Sequence, residues 1–306
     1  MIPEYFKENI GRLFGDKGRA WLERAPEIVE VCIKKWQLSD LKPAGSLSVN
    51  LILLCKSELY GDVVLKIGVP HEEYFTELET LGLQGDAYIK CFANDESLNA
   101  MILERVIPGE DLDFVADLYE QLEIAAEVIS RSSKELSGEY SFPTYQMWCA
   151  KAFKRVREEN KVPPRFLIHV GIAEKITEEI KAMGRADVLL HGDLHHENML
   201  RSLNDQWKII DPKGVIGPAF QDSARFIQNH ILRIDTDEVE QLLDRCVTVF
   251  AEKFNESKRV IAMSVYLLKV LTIAWMYEDE EQDEAFLKYM MGKLELLHDY
   301  LMGLNN

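Results

Sequence analysis

The chain has 306 residues, 47% hydrophobic and 28% charged, enough for one large bilobal domain or two ordinary ones and unlike a disordered or fibrous polypeptide. Its 35 Lys and Arg against 52 Asp and Glu give a formal net charge of -17, a field that repels nucleic acid and anionic membrane and favours cationic small molecules or metal ions. Five cysteines, Cys32, Cys55, Cys91, Cys149 and Cys246, stand singly without a CxxC pair, so neither a disulfide framework nor a zinc ribbon is expected.

The opening "MIPEYFKENIGRLFG" is amphipathic and lacks a signal-like apolar core, and no apolar run is read as approaching the roughly 20 residues of a membrane span; the cytoplasm is the expected compartment. Residues 16–36 predict two short amphipathic helices, with Pro26 placed where the second begins. From 36 to 103 the segments turn short and β-rich: "SLSVNLILLC", "GDVVLKIGV", "AYIKCF" and "NAMILERV", with one helix, "HEEYFTELETLGL", between the second and third. After Val106 apolar spacing of the 3.6 type predicts helices at 115–135, 143–160, 169–183, 220–232, 236–254, 257–277 and 283–302. The charge run "YEDEEQDE" at 277–284 reads as a solvated loop between two of them. The expected class is α+β: a small antiparallel-sheet lobe, 1–105, a short hinge, and a larger, mostly helical lobe, 106–306.

That organisation suits phosphoryl transfer from a nucleotide, which asks for few groups: a lysine for the phosphates, oxygen ligands for magnesium, and a carboxylate to orient the accepting hydroxyl and take its proton. In "VLLHGDLHHENMLR" Asp193 follows an apolar strand by two residues and Asn198 comes five later, so one compact loop aims both side chains at one place. In "WKIIDPKG" Asp211 ends a second strand, with Pro212 halting it and Gly214 allowing a sharp exit. A hard cation wants such oxygens. His191 and His195, at i,i+4, would make two zinc ligands on a helix, but Gly192 opposes a helix and the HExxH order is missing. The histidines are read as shaping the loop through hydrogen bonds.

"VVLKIG" sets Lys66 in an apolar strand, where a lysine without a partner is costly. In "HEEYFTELETLGL" the stripe of Tyr74, Leu78 and Leu81 puts Glu77 on its edge and Glu73 further round, so Glu77 is the favoured partner and Glu73 the reserve. The loop "KPAGSLSVN" has a single glycine, with Ser46 and Ser48 as hydroxyls able to cover phosphates beside backbone amides. Glu104 to Val106 is the expected hinge, whose backbone would meet the purine of ATP or GTP.

The strings "LLHGDLHHENML" and "IIDPKG" resemble the aminoglycoside phosphotransferase branch of the protein-kinase-like superfamily, and within it the streptomycin 6-kinase and hydroxyurea kinase-like group. The likeness extends to "RAWLERAPEIVEVCIKKWQL" near the start, while "GPAFQDSARF" departs from the group's GDPAYD-like segment, with Gln221 before Asp222. The resemblance implies a bilobal kinase-like fold in which Asp193 is the base, Asn198 and Asp211 hold Mg2+, and Lys66 with Glu77 positions the nucleotide phosphates. It implies a small, hydroxylated, cationic acceptor such as streptomycin and a role in antibiotic resistance. Two alternatives stay open: a kinase of the same fold with a metabolic substrate, and a nucleotide-binding pseudokinase.

Overall fold

The computed structural model describes residues 2–45, 47–138, 140–159, 162–234, 238–278 and 283–304. It contains two compact units, Met1–Gly109 with Arg201–Lys208, and Glu110–Leu200 with Ile209–Asn306. A lobe boundary at 105/106, as expected from the sequence, leaves 201–208 in the helical part. That segment belongs with the first unit, where the Lys208 ammonium donates to the Asp86 carbonyl at 2.6 Å.

The first unit begins with helix α1 (Glu4–Trp36), a 33-residue run broken at one residue, Gly15, with φ 54 and ψ -134. Here the sequence reading is corrected: helix starts well before residue 16, and the break falls at Gly15, while Pro26 lies inside the helix. Glycine alone takes that left-handed conformation without steric cost, so the chain turns there. A side chain on Gly18 would meet the Ile10 carbonyl oxygen at 2.5 Å, which is why the two arms of the turn pack so closely. Five strands follow: β1 (Leu38–Pro43), β2 (Asn50–Ser57), β3 (Gly61–Gly68), β4 (Cys91–Asp95) and β5 (Ala100–Glu104), with α2 (Glu72–Leu83) between β3 and β4. They form one antiparallel sheet in the order β1-β2-β3-β5-β4. β1 went unread because "LSDLKP" alternates poorly, and it lies at the sheet edge with only Leu38 buried.

Side chains alternate across a strand, so Val63, Leu65 and Ile67 share one face of β3. They pack with Leu51, Leu53, Ile102 and, from α1, Phe6, Ile10, Trp21, Val29 and Trp36. Each such fully buried aliphatic side chain contributes about 1.5–3 kcal/mol of burial free energy. Lys66, even-numbered in that odd-numbered row, therefore faces the other way.

The second unit holds α3 (Leu118–Ser130), α4 (Tyr145–Glu159), α5 (Pro164–Ala182), α6 (Ser223–Ile231), α7 (Val239–Phe254), α8 (Lys258–Met276) and α9 (Glu284–Gly303). Asp117, Ser257 and Asp283 cap α3, α8 and α9 by accepting from first-turn amides, which fixes where those helices start. Along the chain, short strands β6 (Pro108–Asp111), β7 (Asp187–Leu190), β8 (Met199–Ser202), β9 (Trp207–Ile209) and β10 (Val215–Pro218) fall between the helices, parts of β6, β8 and β9 belonging to the first unit, and β7 pairs antiparallel with β10, Leu190 opposite Val215.

α8 is long and apolar enough to cross a membrane, which the sequence reading had not allowed for. Its residues from Val260 to Leu271 are buried in this unit, among them Tyr266 and Lys269, so it serves as the unit's core helix.

Candidate active site

The loop after β7 begins at His191, and its geometry is set by one carboxylate. Asp222 stands at the end of a 3-10 turn (Ala219–Asp222) leading into α6 and is 2% exposed. Its Oδ2 accepts from the His191 backbone N–H at 2.8 Å and from Ser132 Oγ at 3.3 Å, and its Oδ1 accepts from the Gly192 N–H at 2.8 Å. Burial pushes this carboxyl above the usual range, and His191 with the three donors pulls the other way.

His191 is fully buried and holds the loop at two further points. Its Nε2–H donates to the Ile210 carbonyl at 2.8 Å and its Nδ1 accepts from the Asp193 N–H at 3.1 Å. That pair of roles needs the neutral ring, in agreement with a pKa pulled down by burial. The His191 carbonyl in turn accepts from Lys213 and Gly214 at 2.8 and 3.2 Å, which ties the segment after Asp211 to the start of the loop. Gly192 is left-handed at φ 83, and a Cβ there would stand 2.8 Å from Val215 Cγ1 and 3.0 Å from Trp148, so the sharp turn before Asp193 requires glycine.

Asn198 Nδ2 donates to the Asp193 carbonyl at 3.0 Å, leaving its amide oxygen as the acceptor end of the side chain. The Asn198 carbonyl accepts from Ile210 N–H at 3.1 Å, one residue before Asp211. Asp211 is exposed and left-handed at φ 57 immediately before Pro212, a costly conformation for a non-glycine residue. Such strain persists only where the surroundings over-determine it, and it concentrates at functional sites. Three predicted residues, Asp193, Asn198 and Asp211, are thus linked through one hydrogen-bonded frame within the second unit. An amide oxygen and a carboxylate are hard donors fit for magnesium, which keeps waters and phosphate oxygens for its remaining positions and needs no all-protein cage.

In the first unit Lys66 and Glu77 meet. The Lys66 ammonium lies 2.6 Å from both Glu77 carboxylate oxygens, with the two residues 7% and 6% exposed. Glu77, the favoured partner, holds the ammonium, and Glu73 lies 3.7 Å from the His71 ring. Of the two predicted loop hydroxyls, Ser46 lies outside the described residues, and Ser48 is exposed, its carbonyl accepting from Asn9 Nδ2 at 2.6 Å. Glu104 is held at the end of β5: its N–H donates to the Lys90 carbonyl at 2.8 Å and its Oε2 accepts from the Lys90 N–H at 3.0 Å. Val106 lies just beyond, with its carbonyl pressed against Gly109.

Helix α6, for which the sequence suggests no role, meets the loop side chain by side chain. Arg225 Nε lies 2.7 Å from Asp193 Oδ1. The ring of His196 packs against both Phe226 and His230, at centroid distances of 4.4 and 5.2 Å, those two rings being 4.9 Å from each other, and its Nε2 is 3.0 Å from His230 Nδ1. Burial drives both rings down, His196 to about 2 and His230 to about 4, with Arg233 adding to the effect. In the sequence, Asp222, Arg225, Phe226 and His230 carry only helical spacing, the signal any amphipathic helix gives. Of the acidic residues just beyond the expected hinge, Asp113 pairs with Arg233 at 2.5 Å, and Asp111 accepts from the Asp113 N–H. Of the run at 277–284, residues 279–282 lie outside the described residues, Glu278 pairs with Arg155, and Asp283 caps α9.

The sequence profile of the aminoglycoside/hydroxyurea antibiotic resistance kinases matches residues 35–280. The chain belongs to this family. Streptomycin 6-kinase of Streptomyces griseus is 26% identical over 230 residues, 72% of this chain and 72% of that protein. Among solved structures, a choline/ethanolamine kinase family protein from Mesorhizobium loti superposes with TM-score 0.65 at 12% identity, covering 88% of this chain and 94% of that one. An aminoglycoside phosphotransferase APH(4)-Ia, in a ternary complex with AMP-PNP and hygromycin B, gives TM-score 0.63 at 15% identity over 89% and 97% of the two chains. The fold is protein-kinase-like, and this kinase is a small-molecule phosphotransferase.

Proposed function

We propose that this kinase moves the γ-phosphoryl group of ATP to a hydroxyl of a cationic aminoglycoside or aminocyclitol, of which streptomycin is the first to test. The observation that carries the reading is the frame just described, in which Asp222 and His191 fix the Asp193 backbone while Asn198 and Ile210 join it to Asp211. In this reading Asp193 orients the acceptor hydroxyl and takes its proton as the oxygen attacks phosphorus. Asn198 and Asp211 would hold Mg2+, which when bound neutralises charge on the phosphates. Lys66, fixed by Glu77, contacts the α and β phosphates, and the 45–48 loop with the 104–106 backbone serves the rest of the nucleotide. Most of the acceleration then comes from positioning and preorganised charge. A net charge of -17 and the streptomycin 6-kinase relative support a cationic acceptor.

A second reading, a metabolic polyol as acceptor, is favoured by one observation: the carboxylate of Asp113 is already neutralised by Arg233. The test is an ATP-consumption screen over streptomycin, other aminoglycosides and neutral polyols at low and high salt, with mass spectrometry of the product. For a cationic acceptor KM should rise with salt, because screening weakens opposite-charge attraction. Asp193→Asn should still bind nucleotide but lose on the order of 10² or more in turnover. A neutral polyol outperforming every cation with a salt-insensitive KM would select the second reading, and near-normal turnover in Asp193→Asn would remove Asp193 from its role.

A further inference from the structure

Asp193 has two carboxylate oxygens, and the structure treats them differently. Oδ1 is the oxygen that faces Arg225 Nε, at 2.7 Å in an ion pair, and neither oxygen accepts a hydrogen bond from a described residue. The two side chains are 19% and 23% exposed, so the pair is screened little by solvent. The Arg225 Nε is buried without a well-aligned acceptor, which makes the contact an ion pair held by charge and packing more than by a directed hydrogen bond.

Arg225 is aimed at Asp193 by what surrounds it. Three residues earlier on the same turn, Asp222 grips the His191 and Gly192 amides, so the start of α6 fixes the loop backbone and one loop side chain together. The next residue, Phe226, stacks on His196 at 4.4 Å and holds the far part of the loop. On another side lies Lys269 of α8, fully buried with its ammonium against Met290 Sδ at 3.3 Å. Burial first, then the charges of Arg225 and Lys293, pull Lys269 down to about 7. Arg225 thus has Lys269 of α8 within reach of its charge and its carboxylate contact at Asp193.

We propose that Arg225 is the positioning residue of the phosphoryl-transfer base: it holds Asp193 through Oδ1 so that Oδ2 is the oxygen presented to the acceptor hydroxyl. This rests on the reading of Asp193 as the base. During transfer the acceptor O–H proton passes to Oδ2, the acceptor oxygen forms its bond to the γ-phosphorus, and the bond from that phosphorus to the bridging oxygen breaks, leaving ADP. A fixed Oδ1 removes rotation about the terminal carboxylate torsion, which is broad and roughly two-fold when nothing restrains it. It also keeps a positive charge beside the base without placing that charge on the acceptor's side.

The test uses the full-length protein with ATP and the best acceptor of the screen above. Arg225→Met should lower kcat by roughly 10- to 10²-fold, the scale of a misplaced reacting group, with little change in the KM for ATP. Arg225→Lys, which keeps the charge but loses the planar fork, should recover part of the loss. In an Asp193→Asn background Arg225→Met should cost almost nothing more, since both changes disable one unit. Losses that multiply in the double variant would overturn the proposal while leaving Asp193 as base, and normal turnover in Asp193→Asn would instead overturn the base itself.

A second measurement needs no acceptor. In arginine-labelled protein the Arg225 Nε–H resonance should shift and exchange faster with solvent in Asp193→Asn. An unchanged resonance would mean that the pair does not hold in solution, and the proposal would fall.

Discussion

Removal of the Asp222 carboxylate is the sharpest perturbation available, because one buried side chain satisfies two backbone amides of the loop after β7 and one hydroxyl. In Asp222→Ala both amides lose their acceptor at a site closed to water. Leaving a buried donor unsatisfied costs about 1–3 kcal/mol each, partly offset because the carboxylate no longer has to be desolvated. The expected loss is about 3 kcal/mol, a large fraction of a typical domain's stability of about 5–15 kcal/mol. Asp222→Asn keeps one accepting oxygen but turns an NH2 toward a backbone N–H at 2.8 Å, so about half that loss is expected. A chain of two units need not unfold in one step, so the assay is amide hydrogen exchange read at His191 and Gly192. A loss of about 3 kcal/mol appears as a fall in protection of roughly 10²-fold at those two amides, by the equivalence of about 1.4 kcal/mol per factor of ten. Amides of the first-unit sheet, such as Leu65, should keep their protection. Wild-type protection of Gly192 in Asp222→Ala would refute the argument that this carboxylate anchors the loop.

The Lys66–Glu77 pair predicts a strong non-additivity: Lys66→Met or Glu77→Leu alone breaks a buried ion pair and should cost about 3–5 kcal/mol, while the double variant should lose far less than the sum. Urea denaturation of the four proteins measures this, and additive losses would show that the two groups do not depend on each other. For the stacked histidines the sign follows from pKa values depressed below 6.5, to about 2 and about 4: the folded state binds fewer protons than the unfolded one. Their contribution to stability is therefore complete above about pH 6.5 and is lost as pH falls toward the folded values, at up to about 1.4 kcal/mol per pH unit per proton taken up. Replacing His196 and His230 together by glutamine should flatten the stability-against-pH curve between pH 6.5 and 4, and an unchanged slope would reject the assignment.

Sequence by itself determined the elements that repeat a period and the site that repeats a spacing. The odd-numbered row Val63, Leu65 and Ile67 specifies a one-sided strand, and the intervening Lys66 demands a carboxylate, which the stripe of α2 supplies at Glu77. Asp193, Asn198 and Asp211 stand so close in the chain, at the ends of short strands, that local geometry alone brings them into one frame. Where period and punctuation conflict the sequence misleads: Pro26 looked like a helix start, yet packing of Trp21, Ala25, Ile28 and Val29 keeps α1 helical through it. Only tertiary structure decided that Asp222, 30 residues beyond Gly192, anchors the loop, that Arg225 meets Asp193, and that His196 stacks with His230 at a separation of 34 residues. Such contacts leave no linear trace, because a helix advertises only which face is apolar. Which of its polar groups meets a distant loop depends on the angle at which it is packed.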